Sequence, residues 1–89
     1  MDAGTVTCRL LFFAKARELI GRSEQSVQLP RTINTKELEA LLFGELAPEL
    51  GPIRSSCVIA VGQEYVLPDQ QLTLSPGIEV AVIPPLSGG

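Results

Sequence analysis

Few side chains in this sequence are equipped for chemistry. It contains no histidine, and its two cysteines, Cys8 and Cys57, lie far apart in strand-like apolar runs, where a free thiol behaves as a small buried hydrophobe. A zinc or other transition-metal site therefore has almost nothing to be built from. Glu37, Glu39, Glu45 and Glu49 read as a solvated face that can at most steer a partner. The remaining reactive group is the end of the chain, AVIPPLSGG. Without Cβ atoms, Gly88 and Gly89 can pass through a slot too tight for any other residue. The terminal carboxylate is ionised at neutral pH and is a poor acyl electrophile until one of its oxygens becomes a leaving group, which adenylation by a partner enzyme would achieve. The same residues also fit a frayed terminus.

The elements that must position this end follow from length and pattern. A chain of 89 residues is one domain by size. At that length it buries only about 60–65% of its unfolded surface, enough for one core but not for a deep substrate pocket. The net charge of −3 lacks the basic footprint of a nucleic-acid binder and favours a basic protein partner. The longest apolar stretches, LLFFA and VAVIPPL, fall far short of the roughly 20 residues of a membrane span. The acidic start, MDAG, does not resemble a secretory signal. With only two cysteines, a cytosolic location is expected.

Thr5 to Phe13 alternates as a strand, with Val6, Cys8, Leu10 and Phe12 on one face and Arg9, Leu11 and Phe13 on the other, and is expected to be covered on much of both. AKARELI should form a short helix ended by Gly21, and Ser26 to Leu29 a strand stopped by Pro30. In NTKELEALLFGEL, Asn34 and Glu37 have capping-box spacing, and Leu38, Leu41, Leu42 and Leu46 form one apolar stripe. Gly44 weakens the last turn and Pro48 stops the helix, leaving GPIRSS as loop. Short strands follow in CVIAV, in EYVL after a reversal at Gly62, and in Ile78 to Ile83 after a type II turn at Ser75-Pro76-Gly77. This order predicts an α+β fold, a mixed sheet with one main helix across one face. The first and last strands should lie side by side at its centre. Pro84 and Pro85 end the last strand and push the chain outward as a stiff stem.

The segments FFAKARELIG and GIEVAVIPPLSGG, joined without insertion over essentially the whole chain, closely resemble the small subunits of molybdopterin synthases, a family of ubiquitin-like sulfur carriers. The resemblance implies a β-grasp domain over residues 1–85 and a flexible, protruding Gly-Gly tail over residues 86–89. It further implies that an E1-like enzyme uses ATP to adenylate Gly89, and that sulfur then replaces AMP to give a thiocarboxylate. On the same resemblance, this group is expected to deliver sulfur to cyclic pyranopterin monophosphate to form the dithiolene of molybdopterin in molybdenum cofactor biosynthesis. The resemblance also implies that the catalytic pocket belongs to the large subunit, in a heterotetramer of two small and two large chains, and that this chain binds no permanent cofactor.

Leu86, Ser87 and Gly88 are then expected to contact the partner along with Gly89. Phe13 and Ile83 end adjacent strands on the face opposite Phe12 and Val82, so they either form an apolar docking patch beside the tail or leave Phe13 packed under the AKAREL helix. Arg17, in the REL motif, either pairs with partner carboxylates or is simply solvated. A carrier for thiamine or tRNA thiolation, and a ubiquitin-like modifier attached to lysines, would share the Gly-Gly end.

Overall fold

The computed structural model describes residues 4–84. Strand β1 (Thr5–Phe12) turns Val6, Cys8, Leu10 and Phe12 inward, all buried. Helix α1 (Ala14–Ile20) ends as expected at Gly21, whose φ of 89° lets its N–H return to the Arg17 carbonyl at 2.8 Å. The chain then runs back as β2 (Glu24–Pro30), antiparallel to β1, with Val27 and Leu29 inward. This strand is longer than the alternation in Ser26 to Leu29 indicates, because backbone pairing with β1 continues through the exposed Glu24.

Strand β3 (Thr32–Asn34) leads into helix α2 (Thr35–Leu41), and the capping box forms in full. The Glu37 N–H donates to Asn34 Oδ1 at 2.8 Å, and the Asn34 N–H donates to Glu37 Oε1 at 3.1 Å. The predicted stripe is mostly right: Leu38 and Leu42 are fully buried, while Leu41 and Leu46 are half-buried. Beyond Leu41 the helix widens into one π turn, Leu42–Leu46, closed by the Ala47 N–H on the Leu42 carbonyl at 2.7 Å. A 3₁₀ segment, Pro48–Ser56, follows where a loop is predicted. Burial of Phe43, Ala47 and Leu50 in the core accounts for the difference. Ordered backbone there must bond internally, and the Leu50 N–H donates to the Ala47 carbonyl at 3.0 Å.

Strand β4 (Val58–Val61) reverses into β5 (Glu64–Tyr65) through Gly62 and Gln63, whose φ angles of 59° and 72° match a type I′ turn. Strand β6 (Gln71–Thr73) pairs with β3 as a separate ribbon, which alternation in the sequence does not reveal. The turn at Ser75-Pro76-Gly77 forms, with Gly77 at φ 83° and the Ile78 N–H on the Ser75 carbonyl at 3.0 Å. It delivers β7 (Glu79–Ile83) to the centre of a five-stranded sheet of order β2-β1-β7-β4-β5. There β7 is parallel to β1 and antiparallel to β4, so the first and last strands are neighbours as predicted. A mixed sheet closing over α2 in this order is the β-grasp arrangement.

Two expectations need correction. First, β1 is not covered on both faces. Ala16, Leu38, Leu42 and Leu50 join the same core as the inward side chains of β1 and β7, which leaves the other face open: Thr7 and Arg9 are exposed and Leu11 is only half-buried. Second, Cys57 precedes β4 and is half-buried, whereas Cys8 is fully buried. Burial raises the pKa of both thiols. Strand β7 ends at Ile83 as the prolines require, but Pro84 is itself buried, so the last described residue is anchored in the domain. Pro85 and the 86–89 tail lie outside the described residues.

Candidate functional site: the open sheet face beside the chain exit

Because side chains alternate across a sheet, strand registers determine what the open face presents. Leu11 lies opposite Ala81, Ala81 opposite Ala60, and Ala60 opposite Tyr65, which makes one continuous row across four strands. The next row toward the exit of β7 brings Ile83 opposite Val58, and Phe13 continues β1 by one residue with extended angles (φ −121°, ψ 150°). Phe13, Leu11, Ala81, Ile83 and Tyr65 line one concavity. Phe13 is 45% exposed and Tyr65 67%, so this apolar surface faces solvent. Packing of Phe13 beneath α1 is thereby excluded; the buried residue of that helix is Ala16.

On the other side of the row the surface is ionic. The Arg9 guanidinium donates to Glu24 Oε1 at 2.9 Å and to Glu79 Oε2 at 3.2 Å, tying β2 to β7 across β1. The hydrogen bond to Glu24, then its charge, and to a lesser degree that of Glu79, raise the Arg9 pKa further above neutrality. The triad carries one formal net negative charge beside the apolar concavity.

The structure therefore brings Phe13 and Ile83 together on the open face. Arg17 is exposed on α1, one turn after Phe13, with its N–H directed at the Phe13 carbonyl at 3.4 Å. Leu86, Ser87, Gly88 and Gly89 fall outside the described residues. Sequence reasoning missed Leu11, Val58, Ala60, Tyr65 and Ala81 as parts of the face. Alternation along β1 and β7 already contains Leu11 and Ala81, but Val58, Ala60 and Tyr65 depend on a β4–β7 and β4–β5 register that no local pattern encodes. Among the described residues no group of three or more His, Cys, Asp or Glu could hold a metal ion. No helix in the described residues is long and apolar enough to cross a membrane.

Comparison with known proteins agrees with this architecture. The ThiS family model matches residues 10–89. A relative from Chlamydomonas reinhardtii, named molybdopterin synthase sulfur carrier subunit, is 43% identical over 81 residues, covering 91% of this chain and 96% of the relative. The human protein of the same name is 42% identical over 85 residues, covering 90% of this chain and 91% of its own length. Among solved structures, a chain in the complex of subunits 1 and 2 of the molybdopterin-converting factor from Helicobacter pylori superposes with a TM-score of 0.65. At 20% identity, over 94% of this chain and 100% of the other, it supports the fold. With the family model covering nearly the whole chain and curated relatives above 40% identity, the chain belongs to the ThiS family of ubiquitin-like β-grasp proteins.

Proposed function

We propose that this chain is the sulfur carrier subunit of a molybdopterin synthase, with sulfur carried as a thiocarboxylate on Gly89. The observation that carries the reading is a family match that runs to residue 89 itself, in a sequence ending Ser87-Gly88-Gly89. An E1-like enzyme joins the Gly89 carboxylate to AMP from ATP, releasing pyrophosphate. Sulfur at the hydrosulfide level then attacks the acyl carbon, the bond to AMP breaks as the C–S bond forms, and Gly89 is left as the thiocarboxylate. Its sulfur is soft, nucleophilic and ionised near neutral pH, and in the pocket of the large subunit it attacks an oxygen-bearing carbon of cyclic pyranopterin monophosphate, where the C–S bond forms as a C–O bond breaks and the oxygen leaves. Hydrolysis of the acyl–sulfur bond leaves sulfur on the pterin and returns Gly89 to a carboxylate. Two such deliveries build the dithiolene.

The fold suits this division of labour. Strand β7 is held in the sheet by buried Val80 and Val82, and Pro84 is buried at its end, so the chain departs from a rigid anchor. The five residues after Pro84 span at most roughly 17–18 Å. A partner that receives Gly89 must therefore lie close to the exit of β7, where Phe13 and Ile83 supply an apolar contact surface. Arg17, exposed one turn after Phe13, is a contact for partner carboxylates. The large subunit and the activating enzyme are the two partners, and assembly with the former is as a heterotetramer of two small and two large chains. The test is reconstitution of purified large subunit with cyclic pyranopterin monophosphate and carrier bearing either a thiocarboxylate or a carboxylate. Molybdopterin should form only with the thiocarboxylate, and equal product from both carriers would refute the proposal.

A further inference from the structure

The row across the open face has large residues at its ends and small ones at its centre. Leu11 and Tyr65 flank Ala81 and Ala60, and the registers make the two alanines direct neighbours. The second row, Phe13 and Ile83, closes one side, and Glu79 stands at the other. The result is a hollow of about 340 Å³ whose floor is alanine and whose walls are mostly apolar. An apolar cavity of about 150 Å³ accommodates a benzene ring, so there is room for at least one large side chain.

We infer that the Ala60–Ala81 floor is a socket for a single aromatic or branched aliphatic side chain projecting from the large subunit, and that Ala81 sets the size of the side chain admitted. This rests on the carrier reading given above. The occupant follows from the exit of the chain: β7 provides both Ala81 and, through Pro84, the start of the five-residue segment that ends at Gly89. A protein enclosing Gly89 within that short reach lies beside the exit of β7, where Ile83, the last residue of the strand, is part of the lining of the hollow. Leaving it empty would forfeit contacts with its lining atoms, so a partner that buries this face productively must fill it. Aromatic and aliphatic anchors seated in desolvated pockets are where interfaces concentrate their affinity.

Ala81 is the residue to test because it is half-buried on the open side, while its neighbours Val80 and Val82 face the core. A larger side chain there grows into the hollow rather than into the core, and Val is favoured in a strand. The experiment measures, by calorimetry, the affinity of full-length wild type, Ala81→Val, Ala81→Leu and Ala81→Phe for purified large subunit from the same organism, with a melting curve for each. We expect melting temperatures near that of wild type and affinity that falls stepwise with side-chain size, by about tenfold or more at Leu. Affinity that is unchanged or rises along the series overturns the socket, while wild type that fails to bind the large subunit at all overturns the carrier reading. Should Leu or Phe disturb the fold, the Val variant decides: binding as tight as wild type overturns the socket.

Discussion

Phe12 and Phe13 are adjacent in sequence and lie on opposite faces of the sheet, which gives a direct test of the division between the core and the proposed docking face. Phe12 is 1% exposed and lies within the core among residues of both central strands, whereas Phe13 is 45% exposed on the open face. Truncating a buried Phe to Ala removes its transfer free energy and leaves a cavity, at a cost of about 3–5 kcal/mol. A domain of this length is stable by roughly 4–13 kcal/mol, so Phe12→Ala should lose about a quarter or more of the total and melt at least about 12 °C lower. Full burial of such a side chain contributes about 1.5–3 kcal/mol. With nearly half its surface already in water, Phe13→Ala should cost about 1 kcal/mol, a shift of roughly 4–8 °C. Binding should show the reverse order: an aromatic anchor at an interface centre costs about 2 kcal/mol or more when truncated, or roughly 30-fold in affinity for the large subunit. Urea denaturation and calorimetric titration of both variants measure the two quantities. Equal destabilisation by the two substitutions, or wild-type affinity in Phe13→Ala, would refute the assignment of faces.

Three further outcomes follow from local structure. Asn34→Ala removes the acceptor for the Glu37 N–H and should lower stability by about 1 kcal/mol, whereas Asn34→Asp, which can still accept that bond, should not; urea melts of the pair distinguish the two. Gly62→Ala places a Cβ at φ 59°, 3.4 Å from Ile78 Cδ1, and should cost about 1–2 kcal/mol through left-handed strain, measured by the same melts. Burial raises both cysteine pKa values, so the folded state favours the neutral thiols. That contribution to stability is complete below the unfolded thiol pKa of about 8.5 and fades as pH climbs through the raised folded values. The melting temperature should therefore fall on the alkaline side, less steeply in Cys8→Ala, and iodoacetamide should label half-buried Cys57 before Cys8.

The parts of the fold that local chemistry determines were legible in the sequence. Gly21, the Asn34–Glu37 box, the Ser75-Pro76-Gly77 turn and the alternation in β1 and β7 each act within a few residues, and each appears in the structure where it was expected. What pattern alone missed is tertiary in origin. The β3–β6 ribbon joins segments of three residues each, too short to show a period. The π turn and the 3₁₀ segment exist because Phe43, Ala47 and Leu50 reach the core, although Gly44 and Pro48 suggest only an ending. Alternation identified Phe13 and Ile83 as neighbours, but not the alanine floor between Leu11 and Tyr65, which is created by pairing β7 with β4 and β4 with β5. Expecting both faces of β1 to be covered was the corresponding error: Leu11 lies on the open face and is only half-buried.

Every step of the proposed function depends on the carboxylate of Gly89 being activated to hold sulfur. The most direct measurement is intact-mass spectrometry of the full chain after incubation with the activating enzyme, ATP and a sulfur source, compared with a chain lacking Gly89. The expected result is a single product in which one oxygen of the C-terminal carboxylate is replaced by sulfur, formed only by the full chain. An unchanged mass, sulfur incorporated equally by the shortened chain, or covalent conjugates to other proteins in place of a free thiocarboxylate would contradict it.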